Sequence, residues 1–206
     1  MLRRIGITMF AMALATLLWT SPAQAQLSLG VSAGATYSSM GGRRITATDS
    51  DGGALIGGYG RYDLVSNLAF QLEGNWVAKG GRGTVDDSQV DFDLDYLEFP
   101  LTAQLAVGLS PTWEWNFYGG IAFAFKTACD VSNDAGDKAA CDEAAPDWTF
   151  NSTEWSVPFG TSFSHQFTRS ALTADFRYSY GLSAAIDNLD LKNRSWQFIL
   201  RWGFEV

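Results

Sequence analysis

Beyond residue 25 the chain has no run of the ~20 consecutive apolar residues that a membrane-spanning helix needs. It has one histidine, His165, where a hydrolytic triad would need an imidazole beside the loops or a lumen. It has two cysteines, Cys129 and Cys141, with no histidine or further cysteine nearby to complete a metal site. Cations are in the minority: 14 Lys and Arg stand against 22 Asp and Glu, a formal charge of −8. That balance argues against a nucleic-acid partner and repels free anions.

What the chain does have begins with a processing signal. Arg3 and Arg4 open it, Ile5 to Trp19 is an apolar run, and Pro22 precedes Ala23-Gln24-Ala25, an A-x-A cleavage pattern. Residues 1–25 are read as a cleaved signal peptide and residues 26–206 as one domain. Loss of Arg3 and Arg4 takes the formal charge to −10. In the oxidising compartment reached by export, Cys129 and Cys141 are expected to pair. The bridge would close a 13-residue loop, a constraint of about 3 kcal/mol in the chain-entropy model.

After residue 25 the chain enters period-two alternation eight times: Leu27–Tyr37, Ala54–Leu64, Leu68–Lys79, Asp91–Val107, Trp113–Lys126, Glu154–Phe167, Ala171–Leu182 and Ser195–Val206. The connections alternate long and short. One face of each run is apolar and the other small or polar, as in Leu27, Leu29, Val31, Ala33 and Ala35 against Ser28, Gly30, Ser32 and Gly34. This predicts an all-β fold, an eight-stranded antiparallel up-and-down transmembrane barrel. In the fourth run Phe92, Leu94 and Tyr96 are even-numbered while Leu97, Phe99 and Leu101 are odd, so a bulge is expected near Tyr96-Leu97.

A soluble barrel of the lipocalin kind would show the same alternation inverted, and Gly74-Asn75-Trp76 imitates its G-x-W motif. The sorting of aromatics along the strands decides for lipid. Tyr37, Trp76, Trp155, Tyr180 and Trp196 fall toward one rim; Tyr62, Trp113, Trp115 and Trp202 fall toward the other. Two aromatic girdles around an apolar band are what a bilayer selects, because indole and phenol rings prefer its interfaces. The opposite face carries Arg61, Glu73, Glu98, Asp175, Arg177 and Arg201 into a lumen only wide enough for side chains. Buried charges need partners, so a packed polar network is expected there.

The stretch Tyr96-Leu97-Glu98-Phe99-Pro100-Leu101 resembles the Y-L-E-I-P-L signature of small outer-membrane β-barrels of the PorT-like type, relatives of OmpA-type barrels. Lys79-Gly80, Arg177-Tyr178-Ser179-Tyr180-Gly181-Leu182 and Lys192-Asn193 resemble further motifs of that family. The resemblance implies an eight-stranded barrel in the cell outer membrane and no shared activity.

The motifs call for no cofactor and no metal. Asp91, Asp93 and Asp95 share a face and offer the oxygens Ca²⁺ takes, but a hydrated strand end is the simpler account. The run Asp130 to Asp137 lacks the glycine and closing glutamate of an EF-hand. His165 falls on the lipid-facing register. The expectation is a non-enzymatic barrel that contacts outer-membrane lipid and, through acidic loops, an extracellular or envelope protein. The alternative is a narrow conduit for small cationic solutes.

Overall fold

The computed structural model describes residues 26–41, 49–85, 88–133, 138–144, 150–186 and 191–206. Residues 1–25, read above as a signal peptide, lie outside them. The strands are β1 (Gln26–Gly41), β2 (Asp49–Val65), β3 (Leu68–Val85), β4 (Ser88–Gly108), β5 (Trp113–Asn133), β6 (Lys138–Ala140), β7 (Thr153–Gln166), β8 (Ser170–Gly181) and β9 (Lys192–Glu205). A four-residue helix, α1 (Cys141–Ala144), follows β6.

All pairings are antiparallel, and the sheet closes on itself. β1 pairs with both β2 and β9, while β4 pairs with β5, so eight long strands form a ring and β6 merely adds to the outer part of β5. Closure leaves no unpaired edge, which a chain in hydrocarbon requires. Burial follows the alternation. On β9, Trp196, Phe198, Leu200, Trp202 and Phe204 are exposed, whereas Ser195, Gln197, Ile199, Arg201 and Gly203 are buried. Polar residues inside and a continuous apolar belt outside are the inverse of a soluble core.

The two rims differ. Tight connections near Ser66-Asn67, Leu109–Thr112 and Phe167–Arg169 share an end with Gln26 and Glu205. In barrels of this kind short turns face the periplasm, which orients the molecule. At the other end β3 and β4 stay paired as far as Val85↔Ser88, and β4 stays paired with β5 as far as Val90↔Asn133. Residues 80–85 and 88–90, read as part of a loop, therefore continue the hairpin. The wall of β3, β4 and β5 has strands of 18, 21 and 21 residues, against 14, 12 and 14 for β7, β8 and β9.

The bulge expected in the fourth strand is not there. The β3–β4 ladder runs without a shift through Val77↔Tyr96 and Trp76↔Leu97. The extra residue belongs to β5, where Asp95 pairs with Ala128 and Tyr96 with Lys126, leaving Thr127 over. Leu94 and Tyr96 simply continue the inward face and are 1% and 0% exposed. They pack with Met40 and Ala124, with Cys129 and Val131 against the cluster, so the outer end of the lumen is apolar. Pro100 faces inward from β4. There the β3–β4 pairing pauses between Leu72↔Leu101 and Asn75↔Glu98, which accommodates a residue with no N–H to give.

Candidate functional site

The candidate site is the lumen, which is crossed by side chains at three heights. At the outermost, Tyr96 on β4 donates its hydroxyl proton to Glu154 on β7. Asn193 on β9 reaches the same carboxylate with Nδ2 at 2.8 and 2.9 Å from its two oxygens. Beside them Lys79 lies 2.7 Å from Glu98, with its ammonium 5.2 Å from the centre of the Tyr96 ring. The apolar cluster of Met40, Leu94 and Tyr96 adjoins this layer, and the Cys129–Cys141 disulfide holds α1 and β6 against the top of β5 with a Cα separation of 5.5 Å.

The middle crossing is ionic. Glu73 on β3 accepts from Arg177 Nη2 on β8 at 2.5 Å and from Arg201 Nη2 on β9 at 3.1 Å; Arg201 Nη1 also donates to Asp175 at 2.5 Å. Tyr118 on β5 donates to Asp175 at 2.7 Å and accepts from Arg177 Nε at 3.2 Å. Gln71 and Asn75 each donate an amide hydrogen to Glu73, at 2.7 and 2.8 Å. In the ring β3 and β8 stand diametrically opposite, so the Glu73–Arg177 bond spans the whole lumen. Two carboxylates meet two guanidinium groups, and the side chains of all four are at most 3% exposed. Buried charges persist only when balanced and hydrogen-bonded in this way.

The innermost crossing is wetter. Arg61 on β2 pairs with Asp63 at 2.9 Å and with Glu114 on β5 at 3.2 Å; these side chains are 16%, 28% and 21% exposed. They line a cavity of about 440 Å³ that extends past Gln26, Ser66 and Glu205 to the periplasmic rim. Tyr59 forms part of its wall and points its hydroxyl end at Gly203: a Cβ at that glycine would come within 2.2 Å of the Tyr59 hydroxyl.

The six lumen charges singled out from the sequence do not form one network. Glu73, Asp175, Arg177 and Arg201 share the middle layer, Glu98 pairs with Lys79 toward the outer end, and Arg61 sits at the periplasmic mouth. Sequence reading missed Glu154, which opens a strand where alternation is barely established, and missed Tyr96, whose apolar character disguised an inward hydroxyl. The nine residues assigned to aromatic girdles all face outward. Tyr37 pairs laterally with Trp196, and Trp115 stacks on Phe163 at 5.3 Å. His165 also faces outward, its ring 4.6 Å from that of Trp113 and 4.7 Å from that of Phe167. Among the described residues no group of three or more His, Cys, Asp or Glu side chains is placed to hold a metal.

A closed antiparallel ring of eight strands, apolar outside and charged inside, defines a β-barrel that spans an outer membrane. The chain belongs to the outer membrane protein beta-barrel domain family, whose model matches residues 18–187. The match is to this broad family and does not single out the PorT-like branch. The barrel resembles the outer membrane protein OprG from Pseudomonas aeruginosa, at TM-score 0.56 and 14% identity over 88% of this chain and 96% of that one. It also resembles Neisserial surface protein A, at TM-score 0.50 and 15% identity over 86% of this chain and 97% of that one. Identities this low show a shared fold alone. No curated protein matches the sequence. The protein resides in the cell outer membrane, in contact with its lipid.

Proposed function

We propose that this barrel is a non-enzymatic scaffold with a closed lumen, which holds an acidic outer surface in place for a positively charged extracellular or envelope partner. The observation that carries the reading is the Glu73–Arg177 bond between opposite walls, backed by Arg201 and Asp175. A solute crossing the lumen would have to break it. The outer surface is acidic where it is described: Asp93 on β4 stands directly opposite Asp130 on β5 in the part of the wall that outruns the other strands. The first outer connection and much of the third lie outside the described residues.

Single-channel recording of residues 26–206, refolded into a planar bilayer, tests this. Slower or faster gel mobility of heated against unheated samples establishes that the barrel has folded. Silence from a folded barrel supports the scaffold. Discrete cation-selective steps, altered in Glu73→Gln, would replace it with the narrow-conduit reading.

A further inference from the structure

The outer rim of the barrel is acidic on one side only. On β4 the residues that face outward above Leu97 are Asp95, Asp93 and Asp91. β9 stands diametrically opposite β4 in the ring, and the residues that face outward above Trp196 there are Arg194 and Lys192. At this height the outward face of β1, β8 and β9 otherwise carries Tyr37, Ser39, Gly41 and Tyr180, and among the described residues it bears no carboxylate. The chain has a formal charge of −8, and its lumen cations Arg61, Lys79, Arg177 and Arg201 each pair with a carboxylate. Among the described residues no ion pair reaches Lys192 or Arg194.

The position of these two cations along the barrel says what they meet. Tyr37, Tyr180 and Trp196 belong to the outer aromatic girdle, which marks the level of the lipid headgroups. Arg194 is the cross-strand partner of Tyr180, and its guanidinium carbon lies 5.2 Å from the centre of that ring. An aromatic face steadies a guanidinium without using any of its N–H donors. A Cβ at Gly41 would stand 3.8 Å from Arg194 Cζ, so the group rests over bare backbone, and Gly41 is the partner of Lys192. The two cations therefore share one patch. Like charges at neighbouring positions of a sheet face repel, and an anion held by both removes the repulsion. Phosphate suits the pair: a guanidinium binds two of its oxygens at once, and an ammonium adds a point charge. The aspartates on the opposite wall repel the same anion, so charge fixes the side on which it docks.

We infer that the outer rim of β9 docks the phosphate-bearing headgroup of a membrane lipid, with Arg194 and Lys192 as the phosphate contacts. The occupant is a lipid rather than a soluble anion because the patch runs without a break into Trp196, Phe198 and Leu200 on the same face, along which acyl chains lie. The site is on the wall opposite the acidic column and stands whether or not the acidic surface has a partner.

Native mass spectrometry of folded residues 26–206, released from mixed micelles that contain phosphatidic acid or diacylglycerol with the same acyl chains, tests it. The expected result is one phosphatidic acid retained per barrel at a concentration where diacylglycerol is not. Retention should weaken at least tenfold when Lys192→Gln and Arg194→Gln are combined. It should be unchanged by Arg169→Gln, which removes an exposed cation from the periplasmic rim. Heat-dependent gel mobility establishes that each variant has folded, and the single variants supply the same test if the double variant has not. Equal retention of the two lipids would overturn the inference, as would retention that survives both substitutions or falls equally with Arg169→Gln. Displacement of the lipid by an equal concentration of inorganic phosphate would make the patch a site for free anions. A dimer that the double variant dissolves would make it a contact between two copies of the chain. Either result would also overturn the inference.

Discussion

At the outer end of the lumen Tyr96, Glu154 and Asn193 are packed beside Met40, Leu94 and Val131, with a disulfide above them. At the inner end Arg61, Asp63 and Glu114 use the same kinds of polar contact around an open cavity. Glu73, Arg177 and Arg201 divide the two. The contrast shows that the worth of a polar contact here is set by access to water rather than by the groups that make it. A buried group that loses its partner is left desolvated and unsatisfied, whereas a group at the mouth turns to solvent.

That contrast can be broken most severely at the dividing layer. Glu73→Gln leaves Arg177 and Arg201 buried side by side without their shared anion, and a loss of about 3–5 kcal/mol is expected. Urea unfolding of the barrel in lipid vesicles, followed by tryptophan fluorescence, measures it. Next comes the outer end: reduction of Cys129–Cys141 releases the constraint on a 13-residue loop and is expected to remove about 3 kcal/mol, read from the same transition with and without reductant. Tyr96→Phe removes the hydroxyl from Glu154 while Asn193 still holds both carboxylate oxygens, so a loss of about 1–2 kcal/mol is expected. The smallest effect belongs to the mouth. Arg61→Met is expected to lower stability by about 0.2–1 kcal/mol, and the difference should shrink as salt is added because this group is screened by water. An Arg61→Met effect as large as that of Glu73→Gln would erase the distinction between the two ends.

The fold was legible because each bilayer-crossing strand has lipid on one face and packed polar groups on the other, a difference every second residue records. Legibility failed where that difference vanishes. Leu94 and Tyr96 face inward but are apolar because the outer lumen is apolar there, so a continuous strand reads as a change of phase. Leu55, Val77 and Ile199 form a second buried apolar cluster on the inward register. The β3–β4 extension stands beyond the apolar band, so Gly80, Gly81 and Gly83 with the nearby aspartates read as loop although the ladder continues. The lumen charges could be placed on a face but not paired. Glu73 meets Arg177 across 104 positions and Arg201 across 128, and nothing local distinguishes those partners from Lys79, which instead joins Glu98.

The Tyr59 hydroxyl set against Gly203 has a consequence for how such a barrel can change over generations. The space at 203 is closed by the hydroxyl end of a side chain, with the nearest backbone atom, the Leu29 carbonyl oxygen, 3.6 Å away. A methyl group at 203 is therefore opposed chiefly by the tyrosine at 59, whose hydroxyl end must shift to admit it. Lineages that replace Tyr59 by a small residue first can replace Gly203 afterwards without displacing anything, whereas the reverse order must first move the end of the Tyr59 side chain. The two positions should be inherited as a linked pair, with the history of one readable in the other.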